Sequence, residues 1–407
     1  VSGPPVLFVA GKHPIREIGG FGHSVYVRAH ARAAIMAGYE PHIFCFGERE
    51  ALELEPFGVV HQLAWPFPPR QLAIGRLGPL LADALVAFAQ ALPRDEAVTI
   101  HGFGVWTDAA ILAKRRLGMR RVAVVASSYA THADESYAML AGARLGDGLA
   151  HYGSLLAQYL WSLAVVEPRE RRAYREADIV AVNYVAVRDA IVRRHGRAPN
   201  VRVVRYSSDE AFVRPVATLP ARPANDPPRI LSISGHFQRK GIDVLLRAYA
   251  ALRDRGIPFA ADVVGGGTLL GAHRALATGL GLDGCATIRG RVDEVAPYLA
   301  NADVFVLPSR SEQSGALALI EALEYGLPVV ASACDGIPED LAGSDAGILV
   351  APGDPVALAD GLARLLLDPA ERARRALAAR ERFLERFSPN AFAVDIGRIY
   401  EDARAMR

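Results

Sequence analysis

Residues 302–342 read ADVFVLPSRSEQSGALALIEALEYGLPVVASACDGIPEDLA. A short apolar run, 304–307, stops at Pro308-Ser309 and reads as a buried strand. The next stretch, 311–315, is small and polar and leads into a helical pattern over 316–325. A second apolar run, 329–331, follows. Strand, loop, helix and strand in this order predict a parallel sheet covered by helices. Ser314, Gly315 and Ala316 are small enough to let backbone N–H groups approach a ligand where the helix begins. A helix N-terminus with free amides is an anion site. Glu321 falls one to two turns into the same apolar helix, where an acid is costly unless a ligand or a partner receives it.

The same alternation extends both ways. Runs at 6–10, 42–46, 98–101, 121–127 and 179–183 read as strands, with helical patterns at 25–37 and 77–91 between them. After the proline-rich stretch 213–229, strands recur at 230–234, 261–264, 286–289, 304–307, 329–331 and 347–350, with a helix over 242–253. Proline-rich sequence cannot sit inside a sheet or helix, so it reads as a linker. The expected organisation is an N-terminal Rossmann-like domain, 1–212, a linker, 213–228, and a C-terminal Rossmann-like domain, 229–386. A last helix, 387–407, would pack back toward the N-terminal domain, set off by Ser388-Pro389. Ligands of such sheets bind beyond the carboxyl ends of the strands.

The chain has 407 residues, more than one core usually holds, and its 51% hydrophobic and 22% charged content is that of a globular protein. A net charge of +2 gives no reason to expect nucleic acid as a partner. Residues 1–11 read as a first strand rather than a signal peptide. No apolar stretch approaches the roughly 20 residues that span a bilayer. Cys45, Cys285 and Cys334 are far apart and odd in number, which suggests neither a disulfide framework nor a zinc site, and fits a reducing cytoplasm.

Segment 302–342 resembles the E-x7-E region of family four of the retaining glycosyltransferases, which have the GT-B fold. Glu321-Ala322-Leu323, the run from Gly326 to Ala331 and Gly336-Ile337-Pro338-Glu339 carry the likeness. The resemblance is strongest over 230–369 and weak before 179. It implies two Rossmann-like domains facing each other across a cleft, with Glu321 on the ribose hydroxyls of a nucleotide. Gln313 stands where the family's first acid contacts the donor sugar. Glu312 lies one residue earlier, and either could serve.

A second matching motif, Ser234-Gly235-His236-Phe237-Gln238-Arg239-Lys240-Gly241, carries the family's lysine as Lys240. His236 occupies the place of its arginine, and Arg239 could supply that charge. The resemblance implies that these cations neutralise a departing diphosphate. Gly265-Gly266-Gly267 and Ile288-Arg289-Gly290-Arg291-Val292 match turns near the nucleotide. Gly266, Arg291 and Val292 are the contacts implied there. No D-x-D triplet occurs, which fits diphosphate neutralisation without an obligatory metal or cofactor.

In the N-terminal half, Gly20 of Gly19-Gly20-Phe21-Gly22 is the implied backbone contact. His132, and less so His101, are candidates to orient an acceptor or take its proton. Asp209 matches the family's turn and would cap it. Lys114-Arg115-Arg116 with Arg120-Arg121 reads first as a solvated helix end and second as a membrane-docking patch. Tyr159-Leu160-Trp161 reads as core.

The expected activity is transfer of a sugar from a UDP- or GDP-sugar to a small-molecule or glycoconjugate acceptor, with retained configuration and no obligatory cofactor. Membrane association is the less favoured reading, and a homodimer is left open. A non-catalytic sugar- or nucleotide-binding protein and a phosphorylase-like enzyme on the same fold are the alternatives.

Overall fold

A computed structural model describes residues 3–15, 23–66, 74–93, 96–118, 121–142, 149–196, 200–219, 225–312 and 315–406. Gly20, Gln313 and Ser314 lie outside these residues. The chain divides into two compact units: Val1–Val213 with Pro389–Arg407, and Arg214–Ser388.

The first unit holds strands β1 (Pro5–Val9), β2 (Glu40–Gly47), β3 (Ala51–Glu55), β4 (Gly58–Ala64), β5 (Val98–Phe103), β6 (Val122–Ser128), β7 (Ile179–Val182) and β8 (Val201–Val203). They form one sheet in the order β3-β4-β2-β1-β5-β6-β7-β8. β1 and β6 are buried along their whole length, as strands covered on both faces must be. The antiparallel hairpin β3–β4 at the edge, and β8 at the other, are absent from the sequence reading. The alternation in ALELE is weak evidence of burial, because Leu52 and Leu54 point outward, 70% and 87% exposed. Glu53 instead pairs with His13 at 3.3 Å.

The second unit holds β9 (Arg229–Ile233), β10 (Ala260–Val264), β11 (Ala286–Gly290), β12 (Val304–Leu307), β13 (Val329–Ser332) and β14 (Gly347–Val350), all parallel. Their order is β11-β10-β9-β12-β13-β14. The chain builds outward from β9 in one direction, then returns to build from β12 in the other. The switch point therefore lies between β9 and β12, where an open α/β sheet leaves a crevice for ligands.

Helix Ile242–Asp254 covers this sheet with Ile242, Leu245, Leu246, Tyr249 and Leu252, all fully buried. Their spacing is that of one helical face. Each of the four aliphatic side chains contributes about 1.5–3 kcal/mol on burial. Asp354 and Asp368 cap the helices Pro355–Leu367 and Pro369–Arg386 by accepting backbone N–H bonds, and proline opens each helix.

After Ser388 the chain rejoins the first unit. Helix Pro389–Ala405 buries Phe392, Ile396, Ile399 and Tyr400 there. Its Asp395 carboxylate accepts from Arg205 through the backbone N–H at 3.0 Å and through the guanidinium at 2.9 and 2.7 Å.

Gly241 joins the β9 loop to helix Ile242–Asp254 with φ +64, and a Cβ there would lie 2.0 Å from the Pro308 carbonyl oxygen. A side chain would force apart the two loops at the switch point. Gly241→Ala should therefore lower stability by about 2 kcal/mol or more, read from denaturant midpoints. An unchanged midpoint would show that the loops can separate freely.

Candidate active site

Two strand-end loops meet at the switch point of the second unit. The loop after β9 runs through 234–241 and the loop after β12 through 308–316. The Arg239 carbonyl accepts N–H bonds from Arg310 at 2.8 Å and Ser311 at 3.2 Å. The Arg310 guanidinium pairs with both oxygens of Asp243 at 2.7 Å. Lys240 Nζ reaches Glu312 Oε2 at 2.5 Å. The Ser309 hydroxyl donates to the other Glu312 oxygen, and the Glu312 N–H donates to Asp335 at 2.7 Å. Asp335, at φ +48, also accepts from the Ser311 hydroxyl at 2.9 Å.

The Glu312 side chain is 2% exposed and both its oxygens are engaged. It is an anchor for Lys240 rather than an open group. Burial pulls the Lys240 ammonium below its ordinary value, and the Glu312 carboxylate opposes that shift. Arg239 is half-buried and has no carboxylate partner among the described residues. Its guanidinium donates to the Ser311 carbonyl at 3.3 Å.

His236 does not take over the role of an arginine. It is fully buried, and its Nδ1 lies 2.9 Å from Nδ1 of His273. Burial, then His273 and Arg274, lower it to about 4, so it is neutral at pH 7. The cation expected at this place is absent, which leaves Arg239 and Lys240 as the basic groups of the loop. The β10 turn closes against the same loop. The Gly266 carbonyl accepts from the His236 N–H at 2.8 Å, and a Cβ on Gly265, at φ +143, would stand 1.9 Å from the Ser234 carbonyl oxygen. Arg291 is exposed beside Gly266, and Val292 is half-buried.

Helix Leu317–Glu324 starts from buried Gly315 and Ala316, and no side chain of the described residues caps it. Its first amides are therefore left for a ligand or solvent. Glu321 is half-buried. The fully buried acid of this helix is Glu324, which accepts from the Val216 N–H at 3.1 Å. The sequence argument that an apolar helix makes an acid costly thus applies to Glu324, three residues later, where a backbone group of the linker region satisfies it.

Residues 227–368 match the family described as glycosyl transferases group 1, and residues 21–207 match the glycosyl transferase 4-like domain. A D-inositol 3-phosphate glycosyltransferase of Salinispora tropica is 30% identical over 94% of this chain and 81% of that protein. The chain belongs to the group 1 glycosyl transferases.

A second such relative, from Saccharomonospora viridis, is 36% identical over 65% of the chain and 67% of its own length. A GDP-mannose-dependent phosphatidylinositol monomannoside mannosyltransferase of Mycobacterium tuberculosis is 33% identical over 38% of the chain and 42% of the relative, less than half of either. Among solved structures, a sucrose-phosphate synthase of Thermosynechococcus elongatus superposes with TM-score 0.72 at 22% identity, covering 99% of this chain and all (100%) of that one. Anabaena HepE in complex with UDP gives 0.67 at 16% identity, covering 99% and 100%. The fold is GT-B, and the protein is a glycosyltransferase.

In the first unit of this glycosyltransferase, His132 opens helix His132–Gly142 just after β6. Thr131 caps that helix: its Oγ1 accepts from the Asp134 N–H at 3.1 Å and donates to the Asp134 carboxylate at 2.6 Å. His132 Nδ1 lies 2.8 Å from Ser162 Oγ, and its ring meets Trp161 edge-on. Burial lowers its pKa.

His101 is spent elsewhere. It is fully buried between Tyr400 OH and Ser127 Oγ, each at 2.7 Å, so no acceptor can reach its nitrogens. Asp209 does not cap its turn. Its carboxylate pairs with Arg28 at 2.6 Å and Arg32 at 2.9 Å, while Ser208 Oγ accepts from Ala211 N–H at 3.2 Å. Lys114, Arg115 and Arg116 pair with Asp178, Glu176 and Asp83, and Arg121 holds the Ala89 and Leu92 carbonyls at the end of helix Ile74–Ala91. Each described cation of this cluster thus has a partner within the first unit, and Arg120 lies outside the described residues. Leu160 is 55% exposed rather than core. Among the described residues no helix is long and apolar enough to cross a membrane, and no three His, Cys, Asp or Glu side chains gather to hold a metal ion.

Glu170 is buried beside His132, which the sequence reading missed because nothing local marks it as buried. Its Oε1 accepts from the His132 N–H at 3.3 Å, and Oε2 has no partner among the described residues. Burial raises its carboxyl from 4.5 to about 8, with His132 N–H and Arg194 opposing and Glu167 and Asp134 adding to the rise. The folded protein thus holds a proton there that the unfolded chain gives up above about 4.5. Stability from this group is fullest at low pH and falls as pH rises from 4.5 to about 8. Glu170→Gln, always neutral, should gain melting temperature over wild type across that window and hold the gain above it. A constant offset would mean that Glu170 is already charged at neutral pH.

Proposed function

We propose that the enzyme transfers a hexosyl group from a UDP- or GDP-sugar to a hydroxyl of a small-molecule or glycoconjugate acceptor, with retention of configuration. The observation that carries this reading is the bonded pair of loops at the β9/β12 switch point. It sets Lys240 and Arg239 on the loop that Glu312 anchors, ahead of the uncapped start of helix Leu317–Glu324. A diphosphate leaving group gathers negative charge as its bond to the sugar breaks. Cations and amides fixed in advance stabilise that charge without reorganisation.

On this reading Lys240, Arg239 and the amides of Ser314, Gly315 and Ala316 receive the diphosphate. Glu321 takes the ribose hydroxyls, and Gly266, Arg291 and Val292 line the nucleotide. Gln313 supplies the donor-sugar contact, since Glu312 is committed to Lys240 and Ser309. The acceptor oxygen bonds to the anomeric carbon on the face the diphosphate leaves, and its proton passes to the departing phosphate oxygen. His132 accepts a hydrogen bond from a second hydroxyl of the acceptor and so orients it, which leaves the reacting hydroxyl's proton for the phosphate oxygen. Relatives named for D-inositol 3-phosphate make that compound the first acceptor to try. The unpaired thiols Cys45, Cys285 and Cys334 support a reducing, cytoplasmic setting.

The test is release of UDP or GDP from UDP-glucose and GDP-mannose, with and without acceptor, beside calorimetry with the free diphosphates. No release and no binding of either would defeat the reading. Lys240→Ala should lower turnover by about 10²-fold or more, the scale of one lost transition-state contact; a full-rate variant would make Lys240 a structural turn residue. Glu321→Ala should lose most affinity for the free diphosphate while its melting curve is retained, and unchanged calorimetric binding would remove the ribose assignment.

A further inference from the structure

Helices Leu149–Trp161 and Glu167–Glu176 are one continuous rod interrupted by a π-helical turn, Ser162–Val166. The Glu167 N–H bonds the Ser162 carbonyl five residues back, which inserts an extra residue into the turn. Such bulges re-aim side chains and are frequent at functional sites. Here Ser162 becomes fully buried and meets His132 of the preceding helix, His132–Gly142, while Leu160 faces out.

The hydrogen-bond inventory at Ser162 closes in one way. A serine hydroxyl has one proton to give and two lone pairs. Ser162 gives its proton to the Gln158 carbonyl at 2.8 Å. Toward its other two neighbours, His132 Nδ1 at 2.8 Å and Ser136 Oγ at 2.9 Å, it can only accept. Ser136 then donates to Ser162. It also leaves a lone pair toward His132 Nδ1 at 3.4 Å.

We infer that Ser162 is a positioning residue that fixes neutral His132 as the Nδ1–H tautomer, so that Nε2 presents its lone pair to a ligand hydroxyl. The inference rests on the reading of His132 above. A free imidazole in water prefers the opposite tautomer, in which Nε2 carries the proton and could only donate. The π turn therefore supplies the direction of the hydrogen bond that an acceptor hydroxyl meets. Glu170 and Thr131 hold the start of the same helix, so the ring and the residue that sets its proton are fixed from separate elements.

The experiment is long-range ¹H–¹⁵N correlation on the whole chain labelled at histidine, at a pH where His132 is neutral, assigned with His132→Gln. Wild type should show a protonated Nδ1 and an unprotonated Nε2. Ser162→Ala should move His132 toward the Nε2–H form, and Ser162→Thr, which keeps the hydroxyl, should restore the original pattern. In UDP-glucose or GDP-mannose turnover with acceptor, Ser162→Ala should lose on the order of tenfold in kcat, less than the about 10²-fold expected for losing the imidazole outright. Its KM for donor should not change. An Nε2–H tautomer in the wild type, or an alanine variant with the same spectrum, overturns the inference. The spectrum needs no substrate, so the two ideas fail separately. A correct tautomer with full activity in His132→Gln would sink the functional reading of His132 alone.

Discussion

The ion pair of Lys240 with Glu312 governs the architecture of the second unit's site, because it ties together two loops that leave neighbouring strands in opposite building directions. Neither charge could be left alone in so dry a place. Lys240 is held by a carboxylate that is itself held by Ser309 and, through its backbone, by Asp335. Removing one member would strand the other without compensation, which is costlier than replacing both. The close approach of Gly241 to Pro308 is the steric counterpart of that pair.

The same logic holds for two sets of buried polar groups in the first unit, although Glu170 Oε2 and both nitrogens of His195 stay outside any such set. Tyr400, His101 and Ser127 form one chain, and His132, Ser162, Ser136 and Gln158 form another. Burial lowers the basicity of both histidines, yet their situations differ. His101 has both nitrogens taken and serves to bind the last helix to the sheet. His132 has one nitrogen fixed and its ring half-buried, the condition under which an imidazole can act on something outside the protein.

Departures from the resembling family acquire a physical reason in this setting. His236 replaces a cation with a neutral ring that pairs with His273 of helix Leu270–Gly279, while its backbone N–H bonds the Gly266 carbonyl of the β10 turn. The charge lost there is available one turn of chain later, at Arg239. Glu312, one position before the expected first acid, is consumed in holding Lys240, which is why the neighbouring Gln313 inherits the question of donor-sugar contact.

Sequence by itself determined the alternation of strands and helices, all six strands of the second unit and the small-residue start of helix Leu317–Glu324. These are local signals: apolar runs, helical periodicity and turn residues act over a few neighbours and survive without knowledge of the fold. The edge hairpin β3–β4 escaped because the leucines of its short ALELE strand alternate on the solvent side and so mark no core. Only tertiary structure decided which acid is buried, which histidine is spent and which serine sets the proton of another. Those choices pair residues 72, 299 and 30 positions apart. Such partners are selected by strand order and helix packing, and nothing in the intervening chain records them.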